Sequence, residues 1–438
     1  MSAQRVIGTY LVIAGLYTLS ASLIWGVNTL FLLDAGLSVF EVFVANAAFT
    51  AGMVLFEVPT GVVADTTGRR RSFLWSVGVL LAATLAYVGL SATGAGVVAF
   101  SVVSMFLGLG YTFYSGAVEA WVVDALSQTD YSGTLDRVFT RGGIVTGAAM
   151  LVGTIGGGLL GTINLVIPYL VRSGLLVMVL IVAAVAMHDI GFEPRRVSAR
   201  EYPAEMRRLA SAGMGIGWGD RSVRLILTVT MFQMGIFTWV FYAWPPYFLD
   251  LLGSDAVWVA GFVAGGVAMS MIVGNALVEA LTRFSGRRTT ILLWASAVQG
   301  VAILLTGFAG SFWVAMPALL VATGTMGVIS PVKQSYLNQR IPAKERATVL
   351  SIDSMTGSVG AVATQVGLGR VADAGNFSAG FVVAGLLSLI ALAPLRALRR
   401  HHDAADHIEG GSPCPPGASC AQGLPDIAAV DSVPKREE

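Results

Sequence analysis

Three carboxylates and two arginines stand inside long apolar stretches of this chain: Glu57, Glu119 and Asp353, with Arg141 and Arg172. An ionisable side chain in a membrane-length helix is costly, so it marks a substrate or ion pathway or a proton relay. At 1.5 Å per residue, the three carboxylates lie about 9 Å in from one end of their segments and Arg141 is shallower, whereas Arg172 lies about 12 Å in from the opposite end. A carboxylate that couples to protons must be buried enough to hold its proton near neutrality. Glu119 and Asp353 are the candidates for that chemistry. Each also has a plainer reading as the structural partner of a cation, Arg141 or Lys333, and Glu57 as part of a helix-end motif.

Uncharged polar and aromatic residues extend the pattern. Tyr111, Ser115 and Glu119 follow i, i+4, i+8 spacing and so share one helix face, a polar stripe suited to a water-filled cavity. Trp25 and Asn28 stand on neighbouring turns of the first apolar segment, and Gln233, Trp239 and Tyr242 on the seventh. Trp239 and Tyr242 are candidates for the same cavity wall, while Trp244 and Tyr247 read as an interfacial belt. Lys333, Gln334 and Asn338 read as rim residues, and Pro331 is expected to break their helix. The four histidines, His188, His401, His402 and His407, fall at a helix end or in the tail. The chain has no His-Glu-x-x-His, no Gly-x-Ser-x-Gly and no Walker-type phosphate loop. An enzyme is not expected, nor direct use of ATP, nor any cofactor or metal.

The elements that must position these residues follow from composition. Apolar residues make up 55% of the 438 and charged residues 12%, too few charges to cover a soluble protein. Net charge is +1, so nothing favours nucleic acid as a partner. The only cysteines, Cys414 and Cys420, lie near the C-terminus and are too sparse for a disulfide scaffold or a metal site. No cleavable signal peptide is expected. Twelve apolar runs are long enough to span a bilayer as helices: roughly 8–33, 41–63, 73–92, 97–125, 139–162, 164–187, 223–249, 257–281, 289–309, 312–335, 347–371 and 378–397. The loops at 34–40, 93–96, 250–256, 310–311 and 372–377 hold no Lys or Arg, whereas the loops at the other ends are rich in both. That asymmetry predicts cytoplasmic N- and C-termini.

The chain also repeats itself. The turn Gly61-Val-Val-Ala-Asp65-Thr-Thr-Gly68-Arg69-Arg70-Arg71 returns, degraded, about half a chain later as Arg283-Phe-Ser-Gly286-Arg287-Arg288, and Asp136-Arg137 is matched by Glu345-Arg346. Two related halves are expected: a six-helix bundle over 1–187, a cytoplasmic linker over 188–222, a second bundle over 223–397 and a disordered cytoplasmic tail over 398–438. Within the linker, 201–214 reads either as an amphipathic helix on the inner leaflet, with Arg207 and Arg208 near headgroups, or as a solvated connector. Arg69 to Arg71 either set topology alone or, for Arg69 foremost, pair with an acid such as Asp124.

Six plus six helices, a basic linker and the turn carried by Gly61, Asp65, Gly68 and Arg69 to Arg71 together resemble the major facilitator superfamily. The stretches Glu57-Val-Pro59-Thr-Gly61 and Ser115-Gly-Ala-Val-Glu119-Ala-Trp121-Val-Val-Asp124 resemble its 12-helix drug-efflux-like branch. Two departures stand out: the fourth helix lacks the family's arginine motif, and the fifth has Gly153-Thr-Ile-Gly156-Gly157-Gly158 without the Gly-Pro of antiporters. The resemblance implies that Asp65 meets the N-terminus of the eleventh helix and latches the halves on the cytoplasmic side. It also implies an all-α integral membrane protein of the inner (plasma) membrane that works as a monomer by alternating access. The expected activity is proton-coupled export of a small amphipathic or hydrophobic compound, the partners being that solute, protons and the lipid bilayer. The alternatives are a passive facilitator or importer of a polar solute, and a non-transporting membrane sensor.

Overall fold

The computed structural model describes residues 2–114, 116–129, 131–191, 219–254, 256–341, 346–401 and 403–408. Among these the chain is almost wholly helical, because hydrocarbon leaves backbone N–H and C=O groups no partner outside their own segment. Span 1 is Ala3–Ser22 continued by Asn28–Asp34; spans 2 and 3 are Val39–Thr67 and Arg69–Thr93; span 4 is Val97–Tyr114 with Ala117–Ser127; spans 5 and 6 are Leu135–Ile163 and Ile167–Ala186. Spans 7 to 11 are Arg221–Leu252, Val257–Phe284, Arg288–Phe308, Phe312–Arg340 and Arg346–Ala374, and span 12 is Phe377–Ile390 with Leu392–Arg399. Ten of the described spans are long and apolar enough to cross a membrane, spans 4 and 12 each taken across their break. Spans 1 and 11 fall short; in span 11 Asp353, Gln365, Arg370 and Asp373 dilute the apolar content.

Local chemistry sets several helix starts. Ser38 and Glu41 form a capping box at span 2, the Ser38 hydroxyl accepting from Glu41 N and the Glu41 carboxylate from Ser38 N. Asp220 caps span 7 by accepting from Ser222 N and Val223 N, at 2.8 and 3.1 Å. Span 4 is broken rather than continuous: Gly116 has φ of +75°, left-handed backbone that ends one helix and starts the next. Span 10 differs in the opposite sense. It runs unbroken through Pro331 to Arg340, so the expected break is absent.

Packing divides the chain in two. One apolar core draws only on residues up to Ile190, around Tyr17, Phe73 and Trp121. A second, around Trp239, Trp244, Phe248 and Phe381, belongs to spans 7 to 12 with Leu30 and Phe43 inserted from the first half. The halves meet through span 2 against span 11 and span 5 against span 8. At the latter contact a Cβ on Gly158 would stand 2.6 Å from Gly261 N, so only glycine admits this approach.

The stretch expected to be structureless from 398 onward is folded where the structure describes it. Residues 403–408 fold back beneath span 9: Asp406 accepts from Thr289 N at 2.7 Å and Thr289 Oγ1 at 2.9 Å, and Arg288 donates to Ala405 O and His407 O. An acid at a helix N-terminus satisfies orphan donors there. The remaining tail, with Cys414 and Cys420, and the linker from 192 to 218 lie outside the described residues.

Candidate functional site

A cavity of about 340 Å³ opens beside the junction of the two halves. Tyr17, Trp25 and Asn28 reach it from span 1 and its break, Asn46, Phe49 and Met53 from span 2, Leu80 and Tyr87 from span 3, Tyr111 from span 4, Arg172 from span 6, and Phe241 and Tyr242 from span 7. The break in span 1 is what brings Trp25 and Asn28 to this wall, since residues 23–27 leave the regular helix there. Trp25 meets Phe241 edge to face across the halves, with ring centres 6.4 Å apart.

Polar contacts within the cavity form a short relay. The Tyr169 hydroxyl donates to Asn28 Oδ1 at 2.9 Å, and Asn28 Nδ2 donates to Asn46 Oδ1 at 3.0 Å. Asn46 Nδ2 is buried and donates to no acceptor among the described residues. Arg172, only 6% exposed, donates from Nε to Thr84 Oγ1 at 3.2 Å. Among the described residues no carboxylate pairs with it.

Two expected wall residues lie elsewhere. Gln233 is buried inside the second half, where Nε2 donates to Ser296 Oγ at 2.7 Å. Trp239 is fully buried between Phe43 and Phe381, a plug between the halves rather than a cavity wall. Both sit on faces of span 7 turned toward neighbouring helices, and the apolar sequence around them hides that rotation. Ser115 lies outside the described residues. The stripe that joined Tyr111 to Glu119 is cut by the Gly116 turn. Tyr111 faces the central cavity, and Glu119 enters a separate pocket of about 220 Å³ with Tyr10, Tyr114 and Phe139.

The other charged candidates fall into two groups. Lys333 Nζ pairs with Asp353 Oδ2 at 2.8 Å, and Thr230 Oγ1 bridges them, accepting from Lys333 at 2.7 Å and donating to Asp353 Oδ1 at 2.5 Å. Both charged side chains are about 15% exposed (15% and 14%), so this is an enclosed pair joining spans 7, 10 and 11. Glu57 and Arg141 are exposed, with no ion pair to a described residue. Arg141 does not pair with Glu119.

At the loop after span 2, Arg69 Nη1 meets Asp65 Oδ1 at 2.7 Å, and its Nε lies 3.8 Å from Asp124 Oδ2. Gly68, at φ of +107°, turns the chain so that Arg69 begins span 3; Gly61, about two turns earlier, has open space where a Cβ would stand. Arg70 does more than set topology: its N–H donates to Asp189 Oδ1 at 2.8 Å and its guanidinium to Ala184 O at 2.7 Å, tying span 3 to the end of span 6. Asp65 is held by its own loop here. The eleventh-span N-terminus it was expected to meet begins after residues 342–345, which lie outside those described.

The seal between the halves is one-sided. Thr29 Oγ1 donates to Tyr242 O at 2.7 Å, Phe40 N to Asp373 Oδ1 at 3.2 Å, and Gln365 Nε2 to Thr50 Oγ1 at 3.2 Å. Phe43 stacks on Trp239 with ring centres 5.6 Å apart. Among the described residues, the hydrogen bonds and ring contacts between halves all lie at the middle of the spans or toward the end away from the arginine loops.

Sequence reasoning missed Asn46, Tyr17, Tyr87 and Thr230. A signal existed for one of them: Asn46 and Thr50 stand one turn apart in an otherwise apolar run, as do Trp25 and Asn28.

Two six-helix bundles around a shared cavity, joined by spans 2, 5, 8 and 11, define a membrane transporter. The Major Facilitator Superfamily profile matches residues 10–283 and 259–420; the chain belongs to that family and is a multi-pass membrane protein, a transporter and not an enzyme. It is 25% identical to the tetracycline resistance protein, class H, of Pasteurella multocida, over 72% of this chain and 76% of that one. An uncharacterized MFS-type transporter of Bacillus subtilis, YxaM, is 21% identical over 82% and 88% of the two chains. Among solved structures, the nucleoside transporter NupG shares the fold with a TM-score of 0.73 at 10% identity, covering 90% of this chain and 99% of that one.

Proposed function

We propose that this protein is a proton-coupled exporter of a small amphipathic compound that works by alternating access across the inner (plasma) membrane, as a monomer with both termini in the cytoplasm. The one-sided seal carries the reading: contacts joining the halves concentrate away from the arginine loops, as in a transporter caught open toward the cytoplasm. The halves 1–187 and 223–397 then rock about the cavity. Asp65, released from Arg69, engages the eleventh-span N-terminus in the opposite state. Resistance to a drug, as the Pasteurella relative's name states, fits a protein that moves its solute outward.

Asp353 is the coupling carboxylate in this reading. It is enclosed, it faces a cation, and protonation would release Lys333 and Thr230 together. Glu119, exposed in a side pocket without an ion-pair partner among the described residues, fits that task less well. Proteoliposomes with an imposed pH gradient test the function: solute flux against its own gradient is expected while the proton gradient lasts. Flux that persists unchanged after an uncoupler would favour a facilitator, and no flux of any solute would favour the sensor reading.

A further inference from the structure

The central cavity has a polar inventory made almost wholly of donors. Arg172 is the only charged side chain lining it among the described residues. Its Nε is used by Thr84, and its two terminal nitrogens donate to no described acceptor. The relay from Tyr169 through Asn28 engages the side-chain oxygens of both Asn28 and Asn46, leaving Nδ2 of Asn46, a residue 4% exposed, with no acceptor among the described residues. Tyrosine hydroxyls can serve either way, so the unmet demand is for an acceptor bearing negative charge. Arg172 is largely withdrawn from water and faces no counter-charge among the described residues, and a bound anion relieves such a charge.

The remainder of the wall fixes the ligand's body. Phe49, Met53, Leu107, Tyr111 and Phe241 are apolar or flat, and a volume of about 340 Å³ suits one small molecule. Aromatic faces also attract cations, but here a fixed positive charge stands among them and repels any such ligand.

Resting on the transport reading above, we propose that the central cavity takes a compact organic anion with an aromatic body, its acidic group held by Arg172 and Asn46. The site thereby selects by charge as well as by shape, and the substrate class narrows from amphipathic compounds in general to small aromatic acids.

The test uses the full-length purified protein and three probes of one shape: 1-naphthoate, neutral 1-naphthamide and cationic 1-naphthylmethylammonium, each titrated by calorimetry. Naphthoate is expected to bind more tightly than naphthamide by about tenfold to a hundredfold, the range for hydrogen bonds to a charged group, with the cation not binding. Arg172→Gln should remove that preference, and Arg172→Lys should keep part of it, retaining charge but losing the fork. Equal affinity for the acid and the amide, tighter binding of the cation, or no binding of naphthoate would each overturn the proposal. The wild-type comparison stands even where an Arg172 variant fails to fold. Chloride that displaces naphthoate only at high concentration supports the organic class; chloride binding in place of naphthoate overturns it. Binding is read without flux, so a failed anion assignment remains distinguishable from a failed transport reading.

Discussion

Asp353 and Lys333 form an enclosed pair whose two members depend on each other. Removing one charge leaves the other buried and uncompensated, which costs about 3–5 kcal/mol in comparable pairs, whereas replacing both is far milder. Asp353→Asn alone is therefore expected to lower the melting temperature of the purified protein more than Asp353→Asn combined with Lys333→Gln. Both forms should transport with a flattened pH profile, measured as flux in proteoliposomes between about pH 6 and pH 8. Glu119→Gln should leave the profile unchanged. A profile that survives loss of Asp353 but not of Glu119 would reverse the assignment. That charged residues in these segments matter was legible in the sequence, because every one is conspicuous against hydrocarbon-compatible neighbours. Which of them meet was legible only as alternatives: the sequence offers Arg141 or Lys333 as partner to Glu119 and Asp353, and the helix rotations that select Lys333 with Asp353 depend on tertiary packing.

At the scale of elements, the long apolar runs disclosed nearly every helix, for lipid leaves the backbone no other arrangement. Interruptions were harder. Gly116 is one of 52 glycines, and nothing local separates a glycine that packs from one that turns. The folded stretch 403–408 was hidden by its mixed composition; its order comes from Asp406 reaching Thr289, a contact far away in sequence. Asp406 is 2% exposed, so Asp406→Ala strands buried donors and should cost about 1–3 kcal/mol. Differential scanning of the purified protein is expected to show a lowered melting temperature, and truncation after residue 402 the same loss. Truncation after residue 408 with an equal loss would place the stabilising contacts elsewhere.

For the whole molecule, the two-fold architecture and the turn around Asp65 were readable from the repeat, whereas the conformational state was not, because one sequence serves both ends of a transport cycle. Arg69 holds Asp65 at 2.7 Å in the state seen. In the proposed cycle the other state has that carboxylate trade a guanidinium for a helix N-terminus, an exchange of comparable favourable interactions. Asp65→Asn removes both and is expected to slow turnover by up to about tenfold, with substrate affinity nearly unchanged. Single-turnover flux measured beside equilibrium binding separates the two, and a loss confined to affinity would exclude a role in cycling.

The closed end of the cavity is held chiefly by rings, Phe43 on Trp239 and Trp25 against Phe241, with a few hydrogen bonds such as Thr29 to a main-chain carbonyl. Parting such a surface wets apolar area, and wetting it raises the heat capacity. In the proposed cycle, the step that parts these rings should thus follow a curved rather than straight Arrhenius line, and respond only weakly to salt. Temperature, more than ionic strength, governs how often that door swings.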